Sequence, residues 1–233
     1  MSTPARIIEL VGPPGSGKTT LTKIFEQRNT DLEVTIFPYF REASQIPFFA
    51  KSLVSFSPTL LHLYKNSRGQ TLTKREIALM TILNKWNDVL VERSLRRGKT
   101  IVLEEGAICL LAKLSAFGSE VLKNEVSARW WRDMYQKWAQ TIALVIQLDA
   151  PIPNLLKRIR SRESQYEIGT MSDEQAIEYL TRIQKSQEIV LSHLVTESDS
   201  LRLYRCSTVE RSPEQIYTEV AGLLNSVSQK QFI

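Results

Sequence analysis

The sequence predicts an α/β protein with a five-stranded parallel sheet covered by helices on both faces. Short, nearly continuous apolar runs alternate with longer segments of helical periodicity, and that alternation is typical of strands buried between helices. A glycine-rich segment joins the first apolar run to the first helical segment. At 233 residues and 42% hydrophobic content, the chain suits one domain, residues 1–233. The predicted strands span residues 6–11, 32–37, 100–104, 141–148 and 201–205.

Helical patterns fill the intervals between these strands. Residues 73–97 contain an apolar stripe of the kind that packs into a core, and Gly98 ends them. Residues 107–138 predict two helices, the second with three tryptophans suited to a core or to a homodimer interface. The segment from Ser172 to Gln175 has the pattern of a capping box that opens a helix over 172–194. The prolines within residues 42–70 predict a helical segment with breaks.

Residues 12–19, Gly-Pro-Pro-Gly-Ser-Gly-Lys-Thr, fit the phosphate-loop pattern G-x-x-x-x-G-K-[ST] and lie between a strand and a helix, as that motif requires. Glycines let backbone N–H groups turn toward a polyphosphate, and the helix N-terminus adds partial positive charge. Lys18 is placed to reach the β- and γ-phosphates, and the Thr19 hydroxyl is placed to bind Mg²⁺. We therefore predict a P-loop NTPase fold with ATP and Mg²⁺ as cofactors. The predicted triphosphate-binding residues are Gly12, Pro13, Pro14, Gly15, Ser16, Gly17, Lys18, Thr19 and Thr20.

Two glutamates end the third predicted strand. Glu104 and Glu105 stand at the carboxyl end of a parallel strand, and such sheets bind ligands beyond those ends. Phosphoryl transfer needs an acidic group near Mg²⁺ and, in some enzymes, a group that accepts the proton of the attacking hydroxyl. Because successive side chains of a strand alternate in direction, one of the two is expected to face the metal. Both are predicted catalytic residues, with Glu104 also a metal ligand.

A basic helical segment follows the fourth predicted strand. Helical spacing puts Arg158 and Arg162 on one face and Arg160 on another. Paired guanidinium groups suit the spread negative charge of a transferring phosphoryl group. We therefore predict that Arg158 and Arg162 are catalytic, within an arginine-bearing lid at about residues 152–172.

Composition narrows the function classes. The formal net charge is +5, but aromatic and basic residues do not interleave as a platform for single-stranded nucleic acid requires. We therefore expect a small anionic ligand rather than nucleic acid. Wholly apolar runs such as residues 142–146 are too short to span a membrane, and no secretory signal is recognised before the first strand. Cys109 and Cys206 have no metal-binding or redox spacing, which predicts reduced thiols and a cytoplasmic protein.

Taken in order, these motifs resemble the nucleoside monophosphate kinase group of P-loop phosphotransferases, thymidylate kinases and deoxynucleoside kinases in particular. Phe40-Arg41-Glu42 looks like their substrate-binding Arg-Glu segment after the second strand, so the resemblance implies that Arg41 contacts the acceptor. Glu104-Glu105-Gly106 falls where thymidylate kinases have Asp-Arg and deoxynucleoside kinases have Glu-Arg-Ser. Residues 148–162 resemble the strand and lid of that group, and residues 206–210 resemble its adenine-holding loop.

Two departures from that group bear on the acceptor. Glu105 replaces the basic residue that follows the catalytic acid, and apolar Ile82-Leu83 stands where thymidylate kinases have an Asp-Arg pair. Both missing arginines help to hold or position the substrate in those enzymes. An acceptor with a free hydroxyl and little negative charge therefore fits better than thymidine monophosphate. The resulting prediction is an ATP- and Mg²⁺-dependent kinase that acts on a nucleotide, a nucleoside or another small hydroxylated metabolite.

Two other function classes share a phosphate loop of this form. A remodelling ATPase also has an acidic strand end, although Glu104 lies further beyond Lys18 than is usual for that class. A nucleotide-dependent switch is suggested by Asn84-Lys85-Trp86-Asn87, which approaches a guanine-reading pattern but ends in Asn and lies within a predicted helix. Phosphate transfer that depends on an acceptor distinguishes a kinase from both.

Overall fold

The sheet predicted from the sequence is present and entirely parallel. The computed structural model describes residues 6–36, 46–161 and 167–229. Its strands are β1 (Ile7–Val11), β2 (Leu32–Ile36), β3 (Thr100–Glu104), β4 (Leu144–Asp149) and β5 (Arg202–Ser207). They form one five-stranded sheet in the order β2-β3-β1-β4-β5, which confirms the predicted fold class.

The central position of β1 places the phosphate loop in the middle of the sheet edge. β1 pairs with β3 on one side and β4 on the other, in registers that set Leu10 opposite Glu104 and Ile146. The strand order therefore reverses at β1, which creates a crevice at the carboxyl edge where sheets of this kind bind ligands. The segments that follow β1, β3 and β4 all begin at that crevice.

Helices cover both faces of the sheet. Ile8 and Leu10 of β1 pack into a cluster beneath the first and last helices, while Ile7 and Val11 pack into a larger cluster on the opposite face. The helices of the described residues are α1 (Lys18–Arg28), α2 (Ile46–Asn66), α3 (Lys74–Arg97), α4 (Ala107–Phe117), α5 (Glu120–Lys123), α6 (Ala128–Thr141), α7 (Ile152–Arg160), α8 (Glu167–Thr170), α9 (Asp173–Glu197) and α10 (Pro213–Gln229), with a 3-10 turn at Glu125–Ser127.

The segment predicted as two helices before β4 instead contains α4, α5 and α6. α4 ends at Phe117, where the Gly118 N–H donates to the Leu114 carbonyl oxygen at 2.9 Å. A Cβ atom at Gly118 would collide with that same carbonyl, so the chain turns there at a residue without a side chain. The predicted helical content is confirmed, but the number of helices was wrong because this turn was not recognised.

The tryptophans of α6 belong mainly to the core. Trp138 is fully buried and lies edge-on to Trp86, with ring centroids 6.0 Å apart. Trp130 is also buried, and the half-buried Trp131 donates from Nε1 to the Leu122 carbonyl oxygen at 2.8 Å. Core packing therefore accounts for these rings, and the homodimer stays a prediction.

α2 continues through a proline that the sequence pattern treats as a break. Pro58 lies inside this 21-residue helix and cannot donate to the Val54 carbonyl one turn earlier. The Ser57 hydroxyl donates to that carbonyl instead, at 2.8 Å. Phe56 beside it is 1% exposed, so core packing also holds this turn. The prediction of breaks was therefore wrong for residues 46–66.

Arg160 joins the helices of the segment that the sequence predicts to be a lid. α7 and α8 pack on α9 through a small apolar cluster. The Arg160 guanidinium donates to three carbonyl oxygens and one carboxylate over distances of 2.6 to 3.3 Å. These bonds connect the end of α7 to α8 itself and to the start of α9. The acceptors are Ile168, Gly169, Met171 and the Asp173 side chain.

Replacing Arg160 by alanine should loosen the lid and leave the sheet intact. We expect amide hydrogen exchange in α8 and the first turn of α9 to become faster by about tenfold, since a charge-assisted bond contributes roughly 1.5 kcal/mol. Exchange in β1 and β3 should not change. The exposed Arg96 of α3 provides a matched control, because Arg96→Ala should leave the lid unaffected. Equal exchange in Arg160→Ala and the parent protein would contradict this assignment.

Candidate active site

The phosphate loop is packed tightly against neighbouring backbone. At Gly12, a Cβ atom would collide with the Leu148 carbonyl oxygen and would lie 2.5 Å from Ser16 Oγ. Gly15 has φ +83°, and a Cβ there would lie 2.9 Å from the Leu155 carbonyl oxygen. A side chain at either position would force backbone to move. The loop is therefore held directly against β4 and α7.

Lys18 opens α1 and turns its amine back over the loop. The Nζ atom donates to the carbonyl oxygens of Gly12 at 2.8 Å and Pro13 at 3.2 Å. The residue is 8% exposed. Burial lowers the pKa of the Lys18 amine, while Cys109 and two glutamates oppose that effect. The structure thus places a buried amine at the centre of the loop, among acidic groups.

Glu104 joins the end of β3 to α1. Its Oε1 atom accepts a hydrogen bond from Thr19 Oγ1, and its Oε2 atom accepts one from Thr22 Oγ1 at 2.8 Å. The glutamate is buried. Both carboxylate oxygens are therefore bound, and the predicted metal ligands Thr19 and Glu104 touch each other.

Glu105 turns in another direction, toward α4. Its φ of +57° is a left-handed conformation that costs a residue with a side chain on the order of 1 kcal/mol. The Glu105 Oε2 atom lies 3.5 Å from Lys113 Nζ, and about a third of each side chain is exposed. The structure therefore separates the two glutamates, with Glu104 at Thr19 and Glu105 at Lys113.

Aromatic rings of α4 and α9 border the Glu105 side of the site. Tyr179 stacks on Phe117 with ring centroids 4.9 Å apart, and the Arg182 guanidinium lies 4.8 Å from the Phe117 centroid. Burial raises the pKa of the Tyr179 phenol, Lys113 lowers it and Glu105 raises it. The phenol therefore lies within the field of the Glu105–Lys113 pair.

Arg158 lies on the opposite side of the phosphate loop. Its guanidinium donates to the Thr208 carbonyl oxygen at 2.7 Å, to Thr208 Oγ1 at 2.8 Å and to the Gly15 carbonyl oxygen at 3.3 Å. Together with Arg211 it lines a cavity of about 230 Å³ between the loop and the start of α10. Thr208 belongs to the segment 206–210 that resembles an adenine-holding loop. The structure thus brings Arg158 between the phosphate loop and the segment 206–210, and its contact with the transferring phosphoryl group stays a prediction.

Some predicted residues cannot be placed in this arrangement. Arg41 with its neighbours in 40–42, and Arg162 of the lid, lie outside the described residues. Their roles stay predictions. The predicted triphosphate-binding residues 12–20 are all described, and the Thr20 N–H donates to the Gly17 carbonyl oxygen at 3.1 Å as α1 begins.

Comparison with known sequence families agrees with this geometry. Residues 8–225 match the family model of the deoxynucleoside kinases. The protein belongs to the deoxynucleoside kinase family. It is therefore a phosphotransferase of the nucleoside and nucleotide kinase class, which confirms the predicted activity class. No curated protein matches the sequence.

Solved structures of P-loop kinases share the fold of this deoxynucleoside kinase family member. Thymidylate kinase from Candida albicans is 14% identical, with a TM-score of 0.59 over 97% of this chain and 93% of that chain. Deoxyadenosine kinase from M. mycoides with products dCMP and a flexible dCDP bound is 14% identical, with a TM-score of 0.54 over 94% and 99%. The same enzyme with bound dATP is 14% identical, with a TM-score of 0.52 over 94% and 98%. These likenesses confirm the P-loop kinase fold.

Three further observations concern the described ranges only. None of their helices is both long and apolar enough to cross a membrane. No cluster of three or more His, Cys, Asp or Glu side chains there is arranged to hold a metal ion. Cys109 and Cys206 are buried free thiols, as predicted.

Several residues of the site lack a sequence motif. Thr22 follows Thr19 by one helical turn, so its approach to Glu104 depends on where α1 meets β3. Lys113 was missed because its ion pair with Glu105 spans the turn between β3 and α4. Glu9 could have been singled out from the sequence, because it is an acidic residue in the middle of an apolar strand.

Glu9 is completely buried. Its Oε1 atom accepts hydrogen bonds from the backbone N–H groups of Ile108 at 2.9 Å and Cys109 at 3.2 Å. Burial raises the pKa of the Glu9 carboxyl to about 8, although backbone N–H groups of α4 lower it. The carboxyl therefore holds its proton at neutral pH more readily than an exposed glutamate does.

Replacing Lys18 by methionine should remove phosphoryl transfer. Methionine retains the aliphatic chain but cannot donate to the charge that develops on the phosphate, so we expect kcat/KM to fall by about 10²–10³. Steady-state kinetics with ATP would measure this. Lys23, which is exposed on the same helix, provides the matched control, and Lys23→Met should stay within about twofold of the parent. Full activity in Lys18→Met would contradict the assignment.

The pH dependence of stability should report on Glu9. Its pKa is about 8 in the folded protein and 4.5 in an unfolded chain, so only the unfolded state releases the proton between those values. The contribution of Glu9 to stability should therefore be greatest below the lower pKa and fall toward pH 8, by at most about 1.4 kcal/mol per pH unit.

Urea unfolding of the parent and Glu9→Gln proteins across that range would measure the difference. The glutamine variant cannot ionise, so its stability should fall less. The Cys109 thiol does not confuse this comparison, because burial raises its pKa above the ordinary value. Parallel curves for both proteins would show that folded Glu9 is ionised throughout.

Proposed function

We propose that this deoxynucleoside kinase family member transfers the γ-phosphoryl group of ATP, with Mg²⁺, to a hydroxyl group of an uncharged nucleoside. The observation that supports this choice is the position of Glu105. Its carboxylate lies beside Lys113 and within the electrostatic reach of Lys18, on the side of the loop that we assign to the acceptor. A nucleoside hydroxyl can donate a hydrogen bond to that carboxylate, whereas a phosphate dianion would be repelled by it.

On the donor side, the loop 12–19 would cradle the triphosphate and Lys18 would contact its β- and γ-phosphates. The cavity beside Arg158 and Arg211 would receive the base, in line with the resemblance of residues 206–210 to an adenine-holding loop. Two positive guanidinium groups line that cavity, which also suits the negative charge of the nearer phosphates. Arg162 would approach the transferring group from the lid.

The oxygen donors at the loop fit Mg²⁺. Magnesium prefers oxygen ligands and usually takes one or two from the protein besides the substrate phosphates. Thr19 Oγ1 and the Glu104 carboxylate are in contact beside the loop and would be those ligands, directly or through water. Bound there, the ion would neutralise charge that develops on the transferred phosphoryl group.

On the acceptor side, Glu105 would orient the attacking hydroxyl and accept its proton, and Arg41 would contact the remainder of the acceptor. Lys113 holds Glu105 in place through their ion pair. The similar deoxyadenosine kinase structure contains dCMP and dCDP as products, and the first of these, a nucleoside monophosphate, is the product of phosphorylating a nucleoside. This agrees with an uncharged acceptor. Two buried free thiols support a reducing cytoplasm as the working compartment.

Incubation with γ-labelled ATP, Mg²⁺ and a panel of acceptors would test the proposal. The panel contains the four common 2′-deoxynucleosides, their 5′-monophosphates, ribonucleosides, sugars and amino alcohols. We expect transfer to at least one nucleoside and little to the monophosphates. The second candidate, a nucleoside monophosphate kinase, is favoured by the likeness to thymidylate kinase and predicts the reverse order. ATP hydrolysis that needs no acceptor would reject both.

Replacing Glu105 by glutamine should impair the acceptor half-site alone. Glutamine keeps the shape but cannot accept a proton, so we expect kcat for the nucleoside to fall by about 10²-fold. The KM for ATP should stay within about twofold, because Thr19 and Glu104 are untouched. Glu120→Gln, an exposed change on α5, is the matched control and should have no effect. An unchanged kcat in Glu105→Gln would remove Glu105 from the mechanism.

A further inference from the structure

Glu9 places a carboxyl group inside the central strand. Its neighbours Ile8 and Leu10 face α1, while Glu9 lies on the other face with Ile7 and Val11. The residue is 0% exposed. Burying a carboxyl group costs free energy unless the group is hydrogen-bonded. The hydrogen-bond partners of Glu9 therefore have to be identified.

Those partners are the first backbone N–H groups of α4. The opening N–H groups of a helix have no partner within the helix, and a side chain at the N-cap usually accepts from them. The N-cap here is Gly106, which makes no side-chain bond. Glu9 Oε1 accepts from Ile108 and Cys109 in its place. Glu9 therefore caps α4 from a strand nearly one hundred residues earlier.

Gly106 and Glu9 also fit each other in shape. A Cβ atom at Gly106 would lie 2.6 Å from Glu9 Cδ, 2.7 Å from Oε2 and 2.9 Å from Oε1. Within the described part of the chain, Oε2 has no hydrogen-bond partner. A side chain at position 106 would therefore displace the carboxyl group, and the displaced group would lose the α4 amides.

We propose that Glu9 is a positioning residue that, with Gly106, fixes the turn between β3 and α4 and thereby sets the Glu105–Lys113 pair. Glu105 directly precedes Gly106 in a left-handed conformation, and Lys113 lies within α4. Both move with the first turn of that helix. Glu104 is tied to α1 instead, so loss of Glu9 should affect the acceptor side and spare the donor side. The catalytic consequence rests on the proposed function.

A double-mutant cycle tests the pairing. The variants are Glu9→Ala, Gly106→Ala and the two combined, assayed with ATP and the four common 2′-deoxynucleosides. Each single change should lower kcat for the deoxynucleoside and raise its KM by about tenfold or more, while the ATP KM stays within about twofold of the parent value. The double variant should be no worse than either single one, because the new methyl group then occupies space that the carboxyl group left. Losses that simply multiply would overturn the pairing.

Two further variants separate positioning from general destabilisation. Glu9→Gln keeps the Oε1 acceptor and should restore the deoxynucleoside KM to within about threefold of the parent value. Gln147 is buried in β4 and bonds to Glu188 of α9, so Gln147→Ala removes a comparable polar side chain. It should lower the urea midpoint without changing that KM. A glutamine variant as impaired as Glu9→Ala, or an equal KM effect in Gln147→Ala, would overturn the inference.

Amide hydrogen exchange tests Glu9 independently of any acceptor. Exchange of the Ile108 and Cys109 amides should be at least about tenfold faster in Glu9→Ala and unchanged in Gln147→Ala. If the parent protein phosphorylates no nucleoside, the proposed function fails while this measurement still decides whether Glu9 holds the turn. Unchanged exchange in Glu9→Ala would reject the inference whatever the acceptor is.

Discussion

The contact between Glu104 and the two threonines of α1 is the interaction on which the site depends. It joins the end of β3 to the helix that the phosphate loop opens, so the strand-end acid and Lys18 keep a fixed relation. A buried carboxylate is costly unless both oxygens are satisfied, and the hydroxyls of Thr19 and Thr22 provide that. A hydroxyl that donates its proton to Glu104 still has oxygen lone pairs to offer a metal ion. The contact that holds the loop against β3 is therefore compatible with the Mg²⁺ ion that we propose to bind there.

The sheet divides the site into two halves. Glu104 lies on the face of the sheet that α1 covers, and the phosphate loop leads into α1. Glu105 has a left-handed backbone, and its side chain lies toward α4, on the face of the sheet where Glu9 lies. Adjacent residues thus contact different helices, Glu104 on α1 and Glu105 on α4. The backbone strain at Glu105 persists only where surrounding contacts enforce it, and the ion pair with Lys113 and the fit of Glu9 to Gly106 are such contacts.

Much of the fold could be predicted because its signals are local. Buried parallel strands leave apolar runs, and the capping box at Ser172 and Gln175 is present as predicted, with both reciprocal bonds. The phosphate loop fixes the centre of the sheet edge, and from there Glu104 follows by the topology rule. The sequence pattern misleads where a single residue changes the local preference. Pro58 does not break α2 because the Ser57 hydroxyl replaces the missing donor, and Gly118 divides a run whose composition is helical.

The residues that sequence reasoning missed share another cause. Thr22, Lys113 and Glu9 each act across a contact between elements that are far apart in sequence, so none has a motif of fixed spacing. Arg158 has a motif, but its partner Thr208 follows β5, and helix spacing alone says nothing about that loop. Predicting these contacts requires the packing of α1, α4 and α7 on the sheet, which depends on the whole core.

Glu105 stands where the resemblance predicts a basic residue, and it forms an ion pair with Lys113. An arginine at position 105 would add one positive charge to the acceptor side. Glu105 with Lys113 instead offers a carboxylate and an amine about 3.5 Å apart, with no net charge between them. Such a pair can accept a hydrogen bond from a neutral hydroxyl and donate one to a neighbouring oxygen, whereas a phosphate would compete with Glu105 for the amine. On the proposed assignment, Glu105 would therefore favour an uncharged acceptor, while the proposed donor side, tied to Glu104, would be unaffected.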